Sequence, residues 1–147
     1  MNLSEEGRIF LDEHRVGHLA TADREAVPHV VPICFARLDD RLYFVADEKP
    51  KRNGPKRLKR LANIAQNPHV ALIVDDYRED WTKLAFLLLH LEAAVVEADQ
   101  EYEEALAALR RKYPRYRNMK LLLATNPIIR MSIRRWHFWQ ASDPATG

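Results

Sequence analysis

A series of short apolar runs separated by turn residues constrains the fold of this chain more than any other feature. The runs are rich in Val, Ile, Leu and aromatic residues, a composition typical of β-strands. They cover residues 16–22, 27–37, 42–45, 70–74, 84–91, 93–97 and 128–140. Neighbouring runs follow in hairpin order, and helical spacing occurs only between them. We therefore predict a mainly β (α+β) fold, an antiparallel barrel of six to seven strands with peripheral helices, in one domain over residues 1–147.

Three short segments have helical spacing. Ser4 can cap a first helix whose first turn is acidic. A second helix carries apolar residues at positions 58, 61, 64 and 65 and ends at Asn67-Pro68. Residues 101–112 form an amphipathic helix.

Two of the strands have unusual compositions. Pro28 and Pro32 remove backbone donors, so their strand is expected at a sheet edge or a bulge. Residues 84–91 and 93–97 are expected to form a long hairpin, and residues 84–89 are apolar on both faces. The outer face of this strand must meet a dry surface. A homodimer interface is one explanation, and cover by the 101–112 helix is the other.

Composition excludes several classes of protein. Hydrophobic residues make up 47% and charged residues 30% of the chain, values that fit a globular domain and not a disordered one. The single cysteine, Cys34, allows no disulfide within the chain and argues against a Cys-based zinc site. The acidic, polar N-terminus does not resemble a signal peptide, and the run 84–89 is too short to span a bilayer. A cytoplasmic protein without a membrane partner is expected.

The strongest functional signal is a basic segment at residues 49–60. It contains seven basic residues and no acidic one, while the rest of the chain has a net charge of −5. The basic residues are Lys49, Lys51, Arg52, Lys56, Arg57, Lys59 and Arg60. They precede and begin a helix, an arrangement that suits a phosphate group. A solvated loop is the alternative, and nucleic acid is disfavoured because aromatic residues for base stacking are missing from the segment.

Other residue types carry weaker signals. The six histidines are scattered, with no pair at metal-ligand spacing, so no metal site is predicted. Cys34 lies in a strand without an evident activating base and is expected to be an inert thiol. The sequence contains no GxSxG, P-loop or GxGxxG motif, which argues against the common hydrolase, NTPase and Rossmann classes.

The order of the segments resembles the pyridoxamine 5′-phosphate oxidase-like split-barrel superfamily. The resemblance spans about residues 8–140 and rests on four stretches together with the ending Arg-Arg-Trp-His-Phe-Trp-Gln at 134–140. The four stretches are residues 28–34, 42–45, 59–64 and 66–72. The pattern Asp76-Tyr77-x-x-Asp80-Trp81 with Lys83-Leu84 further resembles a branch of deazaflavin (coenzyme F-420)-dependent enzymes.

This resemblance implies an antiparallel split β-barrel that forms a homodimer with two cofactor sites at the interface. The cofactor ring would lie along the second strand, at His29, Val30, Val31, Pro32 and Cys34, with Phe44 and Val45 from the third strand. The phosphate grip would be Lys59 and Arg60, on the polar side of their helix, helped by Lys56 and Arg57. Trp139 is similar to a tryptophan that approaches the cofactor from the other subunit, although a core aromatic is the alternative.

Two departures from the family pattern shape the functional expectation. The chain lacks the Arg-Leu-His-type substrate motif of the vitamin B6 oxidases, so that reaction is not expected. His29 and Cys34 stand where FMN-binding oxidases often have Arg and Lys, which argues against tight FMN binding and favours F-420, or a weakly bound or absent cofactor. The resemblance thus implies an oxidoreductase that transfers a hydride between reduced F-420 and a small organic substrate, with no catalytic acid or base assigned. An FMN enzyme and a non-catalytic cofactor- or haem-binding protein are the alternatives.

Overall fold

A computed structural model describes residues 2–46 and 58–142. Within these ranges the chain forms seven strands. They are β1 (Gly17–Ala22), β2 (Pro28–Ile33), β3 (Ala36–Leu38), β4 (Arg41–Val45), β5 (His69–Asp76), β6 (Ala85–Val95) and β7 (Ile128–Gln140). The helices are α1 (Glu5–Glu13), α2 (Lys59–Gln66) and α3 (Asp99–Lys112), with short 3-10 helices at Trp81–Lys83 and Pro114–Asn118. No helix of the described ranges is long and apolar enough to cross a membrane.

The strands form one curled antiparallel sheet in the order β2-β1-β5-β6-β7-β4-β3. The prediction of a mainly β, antiparallel split barrel is therefore confirmed. β2, which contains the two prolines, lies at one edge of the sheet, as a strand with missing backbone donors should. The short β3 forms the other edge.

Side-chain alternation divides each strand between two faces. In β5, Val70, Leu72 and Val74 are buried and the intervening residues are more exposed. The buried residues point into an inner cluster that receives side chains from six of the strands and from α1 and α2. We call the opposite surface of β2, β1, β5, β6 and β7 the outer face.

The helices lie close to where the sequence predicts them. Ser4 caps α1, because its Oγ accepts a hydrogen bond from the backbone N–H of Gly7 at 3.1 Å. The second predicted helix is α2, which ends before Pro68. The predicted amphipathic helix 101–112 is α3 and begins two residues earlier than expected.

α3 does not cover the apolar run at residues 84–89 but another part of the sheet. Its buried residues Tyr102, Leu106 and Leu109 pack with Tyr43 and Val45 in a second apolar cluster at β3, β4 and the start of β7. The alternative in which this helix covers the outer face of residues 84–89 is therefore wrong.

Two predicted elements differ from the structure. The run 27–37 forms two strands, because Cys34 and Phe35 break it between β2 and β3. The hairpin predicted over 84–97 is wrong, since β6 is one continuous strand of 11 residues. Glu92, which interrupts the apolar pattern, does not mark a turn. It projects to solvent and pairs with Arg134 of β7.

A half-buried lysine joins the end of α3 to α1. The Nζ of Lys112 donates to the carbonyl of Leu11 at 3.0 Å and lies 3.9 Å from the centre of the Phe35 ring. Burial lowers the pKa of Lys112 to about 8. The neighbouring Tyr113 hydroxyl hydrogen-bonds to the backbone of Phe35 and Arg15, and burial raises its pKa to about 12.

The lowered pKa of Lys112 predicts a stability gain in mild alkali. Above about pH 8 the folded amine is neutral, whereas the unfolded amine keeps its proton up to about pH 10.5. The unfolded state then binds more protons, so the free energy of unfolding should rise with pH in this interval. Tyr113 acts in the opposite direction only from about pH 10, its unfolded pKa.

Urea unfolding at roughly pH 7.5 and roughly pH 9.5 measures the effect. The difference in stability between the parent and Lys112→Met should grow in favour of the parent as pH rises. A difference that stays constant, or that shrinks, contradicts this account of the buried amine.

Candidate functional site

The start of the basic helix α2 is fixed beside β1 by a buried polar contact. Asn63 and Thr21 are both buried, and Asn63 Nδ2 donates to Thr21 Oγ1 at 3.0 Å. Leu61 and Ile64 of the same helix pack in the inner cluster. Because these anchors lie one or two turns from Lys59, they hold the helix N-terminus in one place against the sheet.

Lys59 lies beside the turn that leads into β2. Its Nζ is 3.7 Å from Oδ2 of Asp23, in the β1–β2 turn. The pKa of Asp23 is lowered, first by a hydrogen bond from the backbone N–H of Val27 and further by the charge of Lys59. Lys59, one of the predicted phosphate-binding residues, and β2, the strand predicted to line the cofactor ring, therefore meet at one end of the β1–β2 hairpin.

Arg60 is more enclosed than its place on the polar side of a helix suggests. The side chain is half-buried, and its Nε is buried without a hydrogen-bond partner in the described part of the chain. Burial lowers the pKa of this guanidinium, with Tyr116 of the second 3-10 helix acting on its charge from nearby. A desolvated guanidinium with an unused donor is suited to an incoming anion.

The N-terminus of α2 also has donors to offer. The residue at its N-cap is Leu58, so no side chain caps the helix, and its first turn contains no acidic residue. Among the described residues, the first backbone N–H groups are thus left to solvent or to a ligand. Lys56 and Arg57, the other predicted phosphate residues, lie outside the described residues.

The predicted ring strand presents two different surfaces. His29 and Val31 lie on the inner side, opposite the buried Thr21 and Leu19. Val30 and Pro32 point to the outer face, where Val30 is 60% exposed. A ring placed against β2 from outside would contact Val30 and Pro32 by their side chains, and the other two only by their backbone.

Three further predicted residues are not at the outer face. Phe44 is buried in the inner cluster, whereas Val45 is buried in the second cluster beside α3. Cys34 is partly buried against that second cluster. These side chains support the sheet from within, and their contact with a cofactor stays a prediction.

Trp139 lies on the outer face, near the end of β7. It is 40% exposed and stacks on Phe86 of β6, with ring centres 5.5 Å apart and planes inclined by 25°. His137 also approaches the Phe86 ring, at 5.9 Å. The alternative of a core aromatic is therefore wrong for Trp139. Phe86 was missed as a site residue, although its place in the doubly apolar run was a signal for it.

Val30 and Trp139 cannot reach one ring within a single protomer. β1, β5 and β6 lie between their strands. Four interstrand steps correspond to about 19 Å, which exceeds the length of a fused three-ring system. If both residues contact the same cofactor, they must come from different copies of the chain.

Solved structures resemble this fold along nearly its whole length. The conserved hypothetical protein Rv2991 from Mycobacterium tuberculosis aligns with a TM-score of 0.75 at 20% identity, covering 94% of this chain and 85% of that one. The FAD-binding protein mll6688 from Mesorhizobium loti gives 0.71 at 22% identity, covering 97% and 98%. HutZ, the haem storage protein of Vibrio cholerae, gives 0.69 at 16% identity, covering 95% of each chain.

These identities are low, so the likeness concerns the fold. No curated protein sequence matches the chain. Residues 3–140 match the family described as pyridoxamine 5′-phosphate oxidase, which covers the whole sheet and all three helices. The chain therefore belongs to the pyridoxamine 5′-phosphate oxidase family.

Proposed function

We propose that this protein is an oxidoreductase that holds a phosphate-bearing flavin-type cofactor, with the deazaflavin F-420 ahead of FMN. The observation that carries the proposal is the half-buried guanidinium of Arg60 at the start of α2, whose Nε is buried without a hydrogen-bond partner in the described part of the chain. A bound deazaflavin or flavin supplies the hydride-transfer chemistry for a small organic substrate. Family membership and the likeness to an FAD-binding protein support the same class of cofactor.

The residues of the chain divide the work of binding. Lys59 and Arg60 hold the phosphate by charge-assisted hydrogen bonds, together with the first N–H groups of α2. Val30 and Pro32 give the ring an apolar wall that begins at the same end of the hairpin. This placement orients the ring and keeps water from one of its faces.

The phosphate assignment predicts a large loss of binding when the two cations are removed. Each charge-assisted contact contributes roughly 1.5–3 kcal/mol, so the loss of both in Lys59→Gln/Arg60→Gln should weaken cofactor binding by about a hundredfold or more. The melting temperature should not fall, because Lys59 is exposed and the half-buried guanidinium of Arg60 has an Nε without a hydrogen-bond partner in the described part of the chain. Calorimetric titration and thermal unfolding measure the two effects.

Arg115→Gln/Lys120→Gln is the matched control, since both residues are exposed and lie outside α2. It removes the same charge and should leave cofactor affinity within about twofold of the parent. Equal affinities for the parent and for the α2 variant would falsify the phosphate assignment.

The choice of cofactor follows from charge. F-420 carries an acidic polyglutamate-type tail in addition to its phosphate, so the basic segment offers it more favourable contacts than FMN. At low salt, calorimetry should rank F-420 above FMN, and added salt should narrow the difference. Equal or reversed affinities favour the FMN enzyme.

Haem binding without catalysis is the competing function. HutZ shares the fold, and His18 and His137 of this chain are exposed on the outer face, where an imidazole could ligate iron. A titration that produces a Soret band with haem, and no binding of F-420 or FMN, would establish this function instead.

We further propose that the active form is a homodimer joined through the outer face. Four of the five strands of that face contribute to an outer patch of five apolar residues. Its members are Val30, Ile73, Phe86, Leu88 and Trp139. Apposition of two such patches by a two-fold axis covers both and brings Trp139 of one copy towards Val30 of the other.

Leu88→Asp tests this assembly. A two-fold axis places the new charge in the interface twice, so sedimentation at micromolar concentration should change from dimer to monomer. Leu122→Asp is the matched control, because Leu122 is exposed outside the sheet and its change should leave the dimer intact. The neighbouring Leu87 is not a position for this test, because its side chain is fully buried in the inner cluster and an aspartate there would disrupt the fold. A monomeric parent protein would contradict the model of a site shared between subunits.

A further inference from the structure

β7 contains one residue more than β6 over the same stretch of their ladder, and the extra residue is Arg134. His90 pairs with Arg135, and the next residue of β6, Leu91, pairs with Ile133. Arg134 therefore has no opposite residue, which makes it the inserted position of a β-bulge.

The bulge changes which side chains reach the outer face. Ile133 is buried and Trp136 packs against the inner cluster, although alternation alone would place residues three apart on opposite faces. The bulge absorbs the odd residue. Its consequence is that Arg134 and Arg135, adjacent in sequence, are both exposed.

The two arginines line a concavity with residues of β5 and β6. We call this concavity, of about 390 Å³, the bulge pocket; it is lined by His69, Val70, His90, Leu91, Arg134 and Arg135. Two guanidinium groups and two imidazoles thus meet at one concave surface. The volume lies in the lower part of the range for small-molecule sites.

Only one of the two guanidiniums is neutralised by a carboxylate. Arg134 donates from Nε and Nη2 to Oε2 of Glu92, at 3.1 and 2.9 Å. Within residues 2–46 and 58–142, Arg135 takes part in no ion pair. A concave surface with excess positive charge concentrates anions.

We propose that the bulge pocket is a binding site for a small oxyanion, with a phosphate group as the preferred ligand. The planar fork of Arg135 matches two oxygens of a tetrahedral anion, and His69 and His90 add ring nitrogens from neighbouring strands. The site lies on β5–β7 and is separate from the phosphate grip at α2. The inference therefore does not depend on the proposed cofactor.

Inorganic phosphate is the probe, titrated against chloride at constant ionic strength. The imidazole proton signals of His69 and His90 in NMR spectra are local reporters, and they should shift saturably. Arg135→Gln should weaken this binding by at least about fivefold. Arg111→Gln, at an exposed arginine of α3, is the matched control and should leave it unchanged.

A second variant should act in the opposite direction. Glu92→Gln removes the carboxylate that occupies Arg134, so phosphate should bind about twofold tighter or more. Lys59→Gln/Arg60→Gln should have no effect on these two histidine signals, which separates this site from the cofactor site. Succinate in place of phosphate distinguishes a pocket for any dianion from one for tetrahedral oxyanions.

The proposal fails if the parent shows no saturable shift, or if Arg135→Gln and Arg111→Gln respond alike. It also fails if Glu92→Gln weakens binding. Glu92, Arg111 and Arg135 are exposed and Arg60 is half-buried, and the backbone NMR spectrum of each variant shows whether the fold is retained.

Discussion

The long pairing between β6 and β7 is the constraint on which the rest of the structure depends. It runs from Ala85 opposite Gln140 to Val95 opposite Ile129, and no other pair of strands within residues 2–46 and 58–142 is joined over so many residues. Apolar side chains must stay on the inner side along this whole length. The sequence of β7 departs once from strict alternation, because its inner residues Ile133 and Trp136 are three positions apart. The single bulge restores the phase. Without it, either Trp136 or Ile133 would turn outwards, and the inner cluster would lose a large side chain.

The distribution of cover over the sheet then determines where function can lie. The curled sheet closes around the inner cluster, and α3 shields β3, β4 and the beginning of β7. No helix of the described residues lies over the outer face of the other strands. Both proposed ligand sites lie at the margins of this surface, one beside α2 and one at the bulge. Backbone donors and charged side chains become available there because regular strand packing stops.

The sequence predicted local features better than distant ones. Prolines placed β2 at an edge, and Ser4 and Pro68 set the limits of α1 and α2, because each acts through its own backbone. The hairpin predicted over 84–97 failed because Glu92 was read as a turn residue, whereas its strand continues through pairing with β7, about 40 residues further on. Burial of Arg60 was equally out of reach, since the 3-10 helix that approaches it lies more than 50 residues away in the chain.

The candidate site was only partly predictable, because some of its features are local in the sequence and others depend on distant residues. The charge of the α2 start was evident from residues 59 and 60 alone, but alternation decided that Val30 and Pro32 face outwards while His29 and Val31 do not. The bulge left a trace in the sequence, the Ile-Arg-Arg-Trp order at 133–136, whose meaning depends on the register of β6. A pattern that is irregular in one strand becomes informative only when its partner is known.

The prolines of β2 have a consequence for how copies of this protein can meet. Pro28 and Pro32 share the parity of Val30, and because prolines cannot donate to β1, the backbone groups at these three positions face away from the sheet. Only Val30 then has an N–H to offer along this free edge. The opposite edge, β3, is three residues long. Neither margin can template an added strand, so the sheet resists edge-to-edge growth into larger β-assemblies.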